Sequence, residues 1–164
     1  MQKGYSLIEV LVVISIFAVL GAIAAQSIAY SLRNSRKANS VIQGRQNLEY
    51  AVSIIERRLR NAQDITSCLP NAAAIAYTDE NGQPAAFACQ DVGIPGSIGG
   101  VTSDSERLTS SNVDITSCSF NCTVNGVGIP PTVTVSLEAH DAATTGIEGS
   151  TYSITSDILL RNTK

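Results

Sequence analysis

The chain has no tryptophan and one histidine, and only 15% of its 164 residues are charged. Without tryptophan, and without basic residues interleaved with aromatic ones, it lacks the usual surface on which nucleic-acid bases stack. A lone histidine leaves any cysteine nucleophile a single candidate base, and no serine lies in a nucleophile-elbow motif. These shortages argue against a nucleic-acid partner, and the sequence predicts neither an enzyme nor a cofactor.

Apolar residues make up 44% of the chain and the net charge is -3, so the chain is too apolar and too weakly charged to be disordered. The charge is divided unevenly along it. Residues 1–63 carry eight Lys or Arg against three Asp or Glu, and residues 64–164 carry three against eleven. A basic N-terminal part is therefore followed by an acidic C-terminal part.

The longest uncharged run extends from Val10 to Leu32 and holds 23 residues. At about 1.5 Å per residue in a helix, it can cross a hydrocarbon layer of about 30 Å. Lys3 and the small-x-small sequence Ala22-Ile23-Ala24 also fit a secretory signal peptide. One alternative is therefore a secreted β-rich binding protein, cleaved near Ala24 or Ala25.

Glu9 stands at the start of this run, where a carboxylate against hydrocarbon costs a few kcal/mol. One explanation is a capping box, because Ser6 and Glu9 have the S-x-x-E spacing that satisfies the free amides of a helix start. The sequence around Glu9 offers a second explanation.

The segment Gly4-Tyr5-Ser6-Leu7-Ile8-Glu9-Val10, preceded by a lysine and followed by the apolar run, resembles the processing signature of type IV prepilins and pseudopilins. The resemblance implies that a prepilin peptidase cuts after Gly4 and methylates the new amino terminus of Tyr5, where phenylalanine or methionine is commoner. It also implies that Glu9 pairs with the terminal ammonium of another subunit and sets the axial register of a fibre. The implied partners are the peptidase, other pilin or pseudopilin subunits and the assembly machinery in the membrane.

The helix is predicted to continue to about Ala62, because the first proline is Pro70. A helix of about 58 residues would be roughly 87 Å long, which is unusual for a globular domain and suits a shared fibre core. In its second half, apolar residues recur every three or four positions, and Arg45 occupies the one position of this stripe that is not apolar. Gly44 is expected to weaken the helix slightly and to be tolerated. The stripe consists of Ala38, Val41, Leu48, Val52, Ile55, Leu59 and Ala62.

Residues 64–164 contain 25 Ser or Thr and all five prolines, which favours short strands joined by turns. Candidate strands are 73–78, 85–90, 107–118, 132–139 and 152–158. We expect an α+β, pilin-like fold in which a long helix packs on an antiparallel sheet. The predicted parts are a leader (1–4), a transmembrane and fibre-core helix (5–32), its amphipathic continuation (33–63) and a β-rich domain (64–164).

Three further segments resemble minor pilins and minor pseudopilins of the W/J type, although the pieces are short. They are Arg57-Arg58-Leu59-Arg60-Asn61-Ala62, Arg107-Leu108-Thr109 to Ile115 with Phe120, and Leu159-Leu160-Arg161-Asn162. This resemblance favours a minor subunit over a major one.

Four cysteines, Cys68, Cys89, Cys118 and Cys122, lie outside the helix, and an even number in an exported domain indicates disulfides. Proximity favours Cys68 with Cys89 and Cys118 with Cys122, the second pair needing a turn near Asn121, but three connectivities are open. A zinc site is the rival interpretation. No pair has C-x-x-C spacing, so we predict no metal.

For three other segments we prefer a structural role to a functional one. His140-Asp141 is expected in a surface turn after a strand, and residues 93–100 in a flexible connection, because they lack the lysine of a phosphate-binding loop. Residues 79–82, Asp-Glu-Asn-Gly, fit a hairpin turn better than a calcium loop.

The charges beside the apolar run disagree with the resemblance about orientation. Four basic residues between 33 and 45 outnumber Lys3, so the positive-inside rule would leave the C-terminal domain in the cytoplasm. The cysteines and the resemblance favour the opposite orientation, which we adopt. The sequence thus predicts a non-enzymatic subunit, anchored in the membrane with its C-terminal domain outside the cytoplasm and later part of a cell-surface or periplasmic fibre.

Overall fold

The structure is a computed structural model that describes residues 6–67, 69–123, 130–142 and 151–160. Among the residues singled out above, Lys3, Gly4, Tyr5, Cys68, Arg161 and Asn162 lie outside the described ones. Helix α1 extends from Leu7 to Asn61, 55 residues, and the prediction of one long helix is confirmed. Its last turn closes where the Ala62 amide donates to the Leu59 carbonyl oxygen at 3.2 Å.

The chain divides into two compact units, an N-terminal unit that ends at Asn39 and a C-terminal unit that begins at Ser40. In the C-terminal unit, α1 buries one face, and the predicted stripe is confirmed over its second half. The buried members are Leu48, Val52, Ile55, Leu59 and Ala62. Ala38 is exposed and Val41 half-buried, so the predicted stripe begins too early.

The remaining chain forms two antiparallel sheets. The five-stranded sheet runs in the order β1 to β5, each strand beside the next in sequence, and the three-stranded sheet in the order β6-β7-β8. The strands are β1 (Asp64–Ile65), β2 (Ala74–Thr78), β3 (Pro84–Gln90), β4 (Gly100–Ser103), β5 (Glu106–Arg107), β6 (Val113–Thr123), β7 (Thr132–Asp141) and β8 (Thr151–Leu159). The predicted α+β class is therefore confirmed, with two sheets in place of one.

Alternation along the strands places apolar side chains against the helix, as expected for antiparallel sheets with one wet face. Val133, Val135 and Leu137 of β7 are fully or almost fully buried, whereas Thr134 and Ser136 between them are only half-buried. Tyr77 of β2 and Phe87 of β3 add an aromatic pair with ring centroids 5.3 Å apart. The helix stripe and both sheets thus share one core.

The two sheets meet at few backbone contacts. Ala72 and Phe120 exchange two hydrogen bonds of 2.9 Å, and the Ile115 amide donates to the Gly99 carbonyl oxygen at 3.1 Å. A disulfide between Cys89 of β3 and Cys118 of β6 joins them covalently, with Cα atoms 5.9 Å apart.

At Gly44 the helix lies against Tyr152 of β8. A Cβ atom built on it would lie 2.1 Å from Cζ of Tyr152, so the ring occupies the space that any other residue would fill. Gly44 is buried and Arg45 is exposed, so Gly44, and not Arg45 as expected, occupies this position of the buried stripe. The glycine is required by packing and is not a tolerated weak point.

We expect Gly44→Ala to lower the free energy of unfolding by about 1–3 kcal/mol, the usual cost of an overpacked core. This loss would appear although alanine stabilises a helix interior by about 1 kcal/mol relative to glycine. Chemical denaturation of the full chain in detergent micelles measures the change.

Tyr152→Ala provides the background that tests the cause. Without the ring, the Gly44→Ala substitution meets no obstacle, so only the helix propensity remains and the effect should change sign to a gain of about 1 kcal/mol. A loss of the same size in both backgrounds would show that the Tyr152 ring is not responsible.

Candidate processing and assembly site

The N-terminal site begins where α1 begins. Ser6 precedes the first helical residue, and the amides of Glu9 and Val10 donate to its carbonyl oxygen at 3.0 and 3.3 Å. Ser6 and Glu9 therefore hold the Ncap and N3 positions that a capping box requires. The predicted cleavage and methylation positions, Gly4 and Tyr5, lie outside the described residues.

Glu9 lies in the first turn of α1, whose apolar side chains in the N-terminal run are exposed. Leu7 is 79% exposed and Phe17 is 70% exposed. By length and composition alone, α1 can cross a membrane, and none of its most apolar 18-residue window is buried. The core helix of a soluble domain is mostly buried, unlike this window, whereas a signal sequence would pass the same test.

The hydroxyl of Ser15, inside the apolar run, is hydrogen-bonded within the helix. The Ser15 hydroxyl donates to the Leu11 carbonyl oxygen at 2.7 Å, one turn earlier in the helix. Such a bond satisfies the hydroxyl within its own helix, as hydrocarbon surroundings require. Glu9 is the one Asp, Glu, Lys or Arg residue between Ser6 and Leu32.

The cysteines contradict the pairing that proximity favoured. Cys89 is bonded to Cys118, so the expected bonds of Cys68 with Cys89 and of Cys118 with Cys122 are wrong. The turn that a Cys118–Cys122 bond needs is absent, because Asn121 continues β6 opposite Thr134. Residues four apart in a strand are about 13 Å apart, beyond disulfide reach. Cys122 is also disulfide-bonded.

His140 and Asp141 complete β7 and do not form the expected turn after it. Nε2 of His140 lies 3.5 Å from Oδ2 of Asp114 on the neighbouring strand, and Asp141 accepts a hydrogen bond from the Ser40 hydroxyl. Within the described residues, no three His, Cys, Asp or Glu side chains are grouped to hold a metal ion. These side chains therefore link β7 to β6 and to helix α1.

Residues 79–82 form the hairpin turn between β2 and β3, as predicted. The Gln83 and Asn81 amides donate to Oδ1 of Asp79 at 2.7 and 2.8 Å, and these bonds, that of Gln83 first, lower the pKa of the Asp79 carboxyl. The carboxylate is thus occupied by its own turn.

The sequence did not identify the role of Arg58 at the C-terminal end of α1. Nη1 of Arg58 donates to the Ser103 hydroxyl at 2.7 Å and lies 3.7 Å from Oδ2 of Asp104. Burial raises the pKa of the Tyr77 hydroxyl, and the hydrogen bond with Arg58 opposes this shift. Arg58 therefore pairs with residues of its own domain. A cavity of about 580 Å³ lies beside it, between the helix end and the β2–β3 turn.

Residues 1–25 match a protein family described as the prokaryotic N-terminal methylation motif. The match covers Gly4 to Val10, which carried the prepilin resemblance, but not the three W/J-type segments, and it supports the type IV pilin and pseudopilin family. That family is structural rather than catalytic. No curated protein and no solved structure matches the chain. The motif and the exposed apolar helix together suggest a membrane-anchored precursor that is a substrate of prepilin peptidase.

Proposed function

We propose that the protein is a minor subunit of a type IV pilus or a pilus-like fibre, such as a type II secretion pseudopilus or a DNA-uptake pilus. The observation that carries the proposal is the methylation motif at residues 1–25, followed by an apolar helix that the chain does not bury. An uncovered apolar helix needs a bilayer or other helices around it. A fibre subunit has each in turn, the bilayer before assembly and neighbouring helices afterwards.

Glu9 is the residue to which we assign subunit registration. Lipid chains in the bilayer, or apolar side chains in the fibre, would surround its carboxylate, and an unpaired charge there is strongly destabilising. The ammonium group of a neighbouring subunit's N-terminal residue would neutralise it. Because only one axial position brings the two charges together, the pair would fix the axial offset between neighbouring subunits in the fibre.

The C-terminal unit lies outside the cytoplasm in this proposal. Disulfides form and persist in oxidising compartments, and the Cys89–Cys118 bond lies between the two sheets. The short basic leader, residues 1–4, would stay in the cytoplasm. The assignment as a minor subunit rests on the W/J-type resemblance of the three short segments.

The mass of the mature chain tests the proposal. We expect a chain that starts at Tyr5 and carries one added methyl group, measured by intact mass spectrometry of protein from its native host. The alternative, a secreted binding protein, predicts an unmethylated start near Gln26. That result would overturn the fibre proposal.

A further inference from the structure

The loop between β3 and β4 exposes apolar side chains, and hydrogen bonds hold its C-terminal end in place. Ile94 is 52% exposed and Ile98 is 39% exposed, with Pro95 between them. No charged residue occurs from Val92 to Ser103. We call residues 92–98 the apolar loop.

Arg107 holds the C-terminal end of the apolar loop. Its guanidinium donates to the carbonyl oxygens of Ile98 at 3.1 Å, Gly99 at 2.7 Å and Thr109 at 3.0 Å. Gly100 leaves room for the guanidinium, because a Cβ there would lie 2.7 Å from Cζ of Arg107. The expected flexible connection is thus tied at its end, and its isoleucines project from a fixed position.

The apolar loop lies at the end of the C-terminal unit where the helix enters it. The Gly99 amide donates to Oδ1 of Asp114 at 2.7 Å. The preceding residue, Val113, pairs with Asp141, which accepts a hydrogen bond from Ser40, the first residue of the unit. Leu159 lies at the other end, since it pairs with Thr132 at the start of β7, about 30 Å along the strand from Asp141.

The length of the chain limits how far this end can be from a membrane. The apolar run ends at Leu32, eight residue steps before Ser40. Even a fully extended chain of that length spans at most about 29 Å. If the run is inserted, Ser40 lies within about 29 Å of the lipid surface, so the end of the unit that carries the apolar loop can reach that surface.

We propose that the apolar loop contacts the lipid surface in the unassembled subunit, with Ile94 and Ile98 inserted at the boundary between headgroups and acyl chains. The proposal rests on the membrane insertion in the proposed function. The loop brings no charge that would have to be desolvated, and apolar groups that bind membranes in this way are buried about 5–10 Å below the surface. The contact would hold the domain against the membrane until the subunit is extracted.

Single tryptophan residues test this contact, because the natural chain has none. The full chain with Ile94→Trp or Ile98→Trp is reconstituted in phosphatidylcholine vesicles whose acyl chains carry bromine. We expect both variants to show blue-shifted emission that bromine quenches, most strongly when it is near the headgroups. Leu159→Trp is the matched control, an exposed apolar residue at the far end of the unit, and should show neither effect.

Two outcomes would overturn the proposal. One is quenching of the loop variants no greater than that of Leu159→Trp. The other is a blue shift without bromine quenching that disappears when the protein is diluted at constant lipid, because this would identify a protein partner. Phe17→Trp separates the two proposals: if it is not quenched, membrane insertion itself fails, and if it alone is quenched, only the loop contact fails.

Discussion

A Glu9→Gln subunit is expected to be cleaved after Gly4 and methylated, and then to be almost absent from the fibre. In the proposed assembly, the substitution leaves a terminal ammonium group buried without a counter-charge. Removing one partner of a buried ion pair costs about 3–5 kcal/mol. Because about 1.4 kcal/mol is a factor of ten, each contact between subunits should weaken at least about a hundredfold. Quantitative immunoblotting of sheared fibres measures the incorporation.

Two variants separate this role from the alternatives. Glu49→Gln removes an exposed carboxylate from the same helix outside the apolar run and should be incorporated normally. Ser6→Ala removes the side chain at the Ncap position, so it should lower incorporation only if capping is the main task of this segment. Normal incorporation of the Glu9→Gln subunit would refute the registration role.

The helix was predictable because its signals are local. An uncharged run of 23 residues, no proline before Pro70 and a stripe spaced three and four apart are all read from neighbouring positions. The two strands with the clearest alternation, 132–139 and 152–158, were found for the same reason, since period two is visible within eight residues.

The features that were missed depend on residues far apart in the chain. Gly44 looked like a weakness of the helix, because the sequence does not reveal that a ring 108 positions later packs on it. Strand β4 was missed because Thr102 and Ser103 look like a polar turn, whereas both are buried and Ser103 receives a hydrogen bond from Arg58. In each case tertiary packing overrides the local signal.

The cysteine pairing failed for a related reason. Proximity in sequence does not give proximity in space, because four residues of a regular strand separate their side chains by about 13 Å. Neighbouring elements of different sheets can come closer than that, as β3 and β6 do at the disulfide. Finding the bond from sequence would have required the order of the strands.

The disulfide should be the largest single contribution to the stability of the C-terminal unit that we can assign. It joins residues 29 positions apart, and a loop of that length corresponds to about 3–4 kcal/mol of lost denatured-state entropy. We therefore expect Cys89→Ser with Cys118→Ser to lower the free energy of unfolding by about this amount. Total stabilities of about 5–15 kcal/mol make such a loss large.

Denaturation of the full chain in micelles, with the other disulfide intact, measures the loss. The matched control is Ala88→Ser with Ser119→Ala, one position from each cysteine on the same strands, for which we expect a change within about 0.5 kcal/mol. Equal losses in the two double variants would show that the bond between the sheets adds no stability.

Peptide mapping without reduction tests the connectivity on which this expectation rests. A linked pair of peptides that contain Cys89 and Cys118 is expected, because their Cα atoms are 5.9 Å apart and the two residues lie on different sheets. Of the four cysteines, Cys68 and Cys122 then remain, so we expect them in a second linked pair. A bond between Cys68 and Cys89 would contradict the Cys89–Cys118 connectivity and, with it, the covalent link between the two sheets.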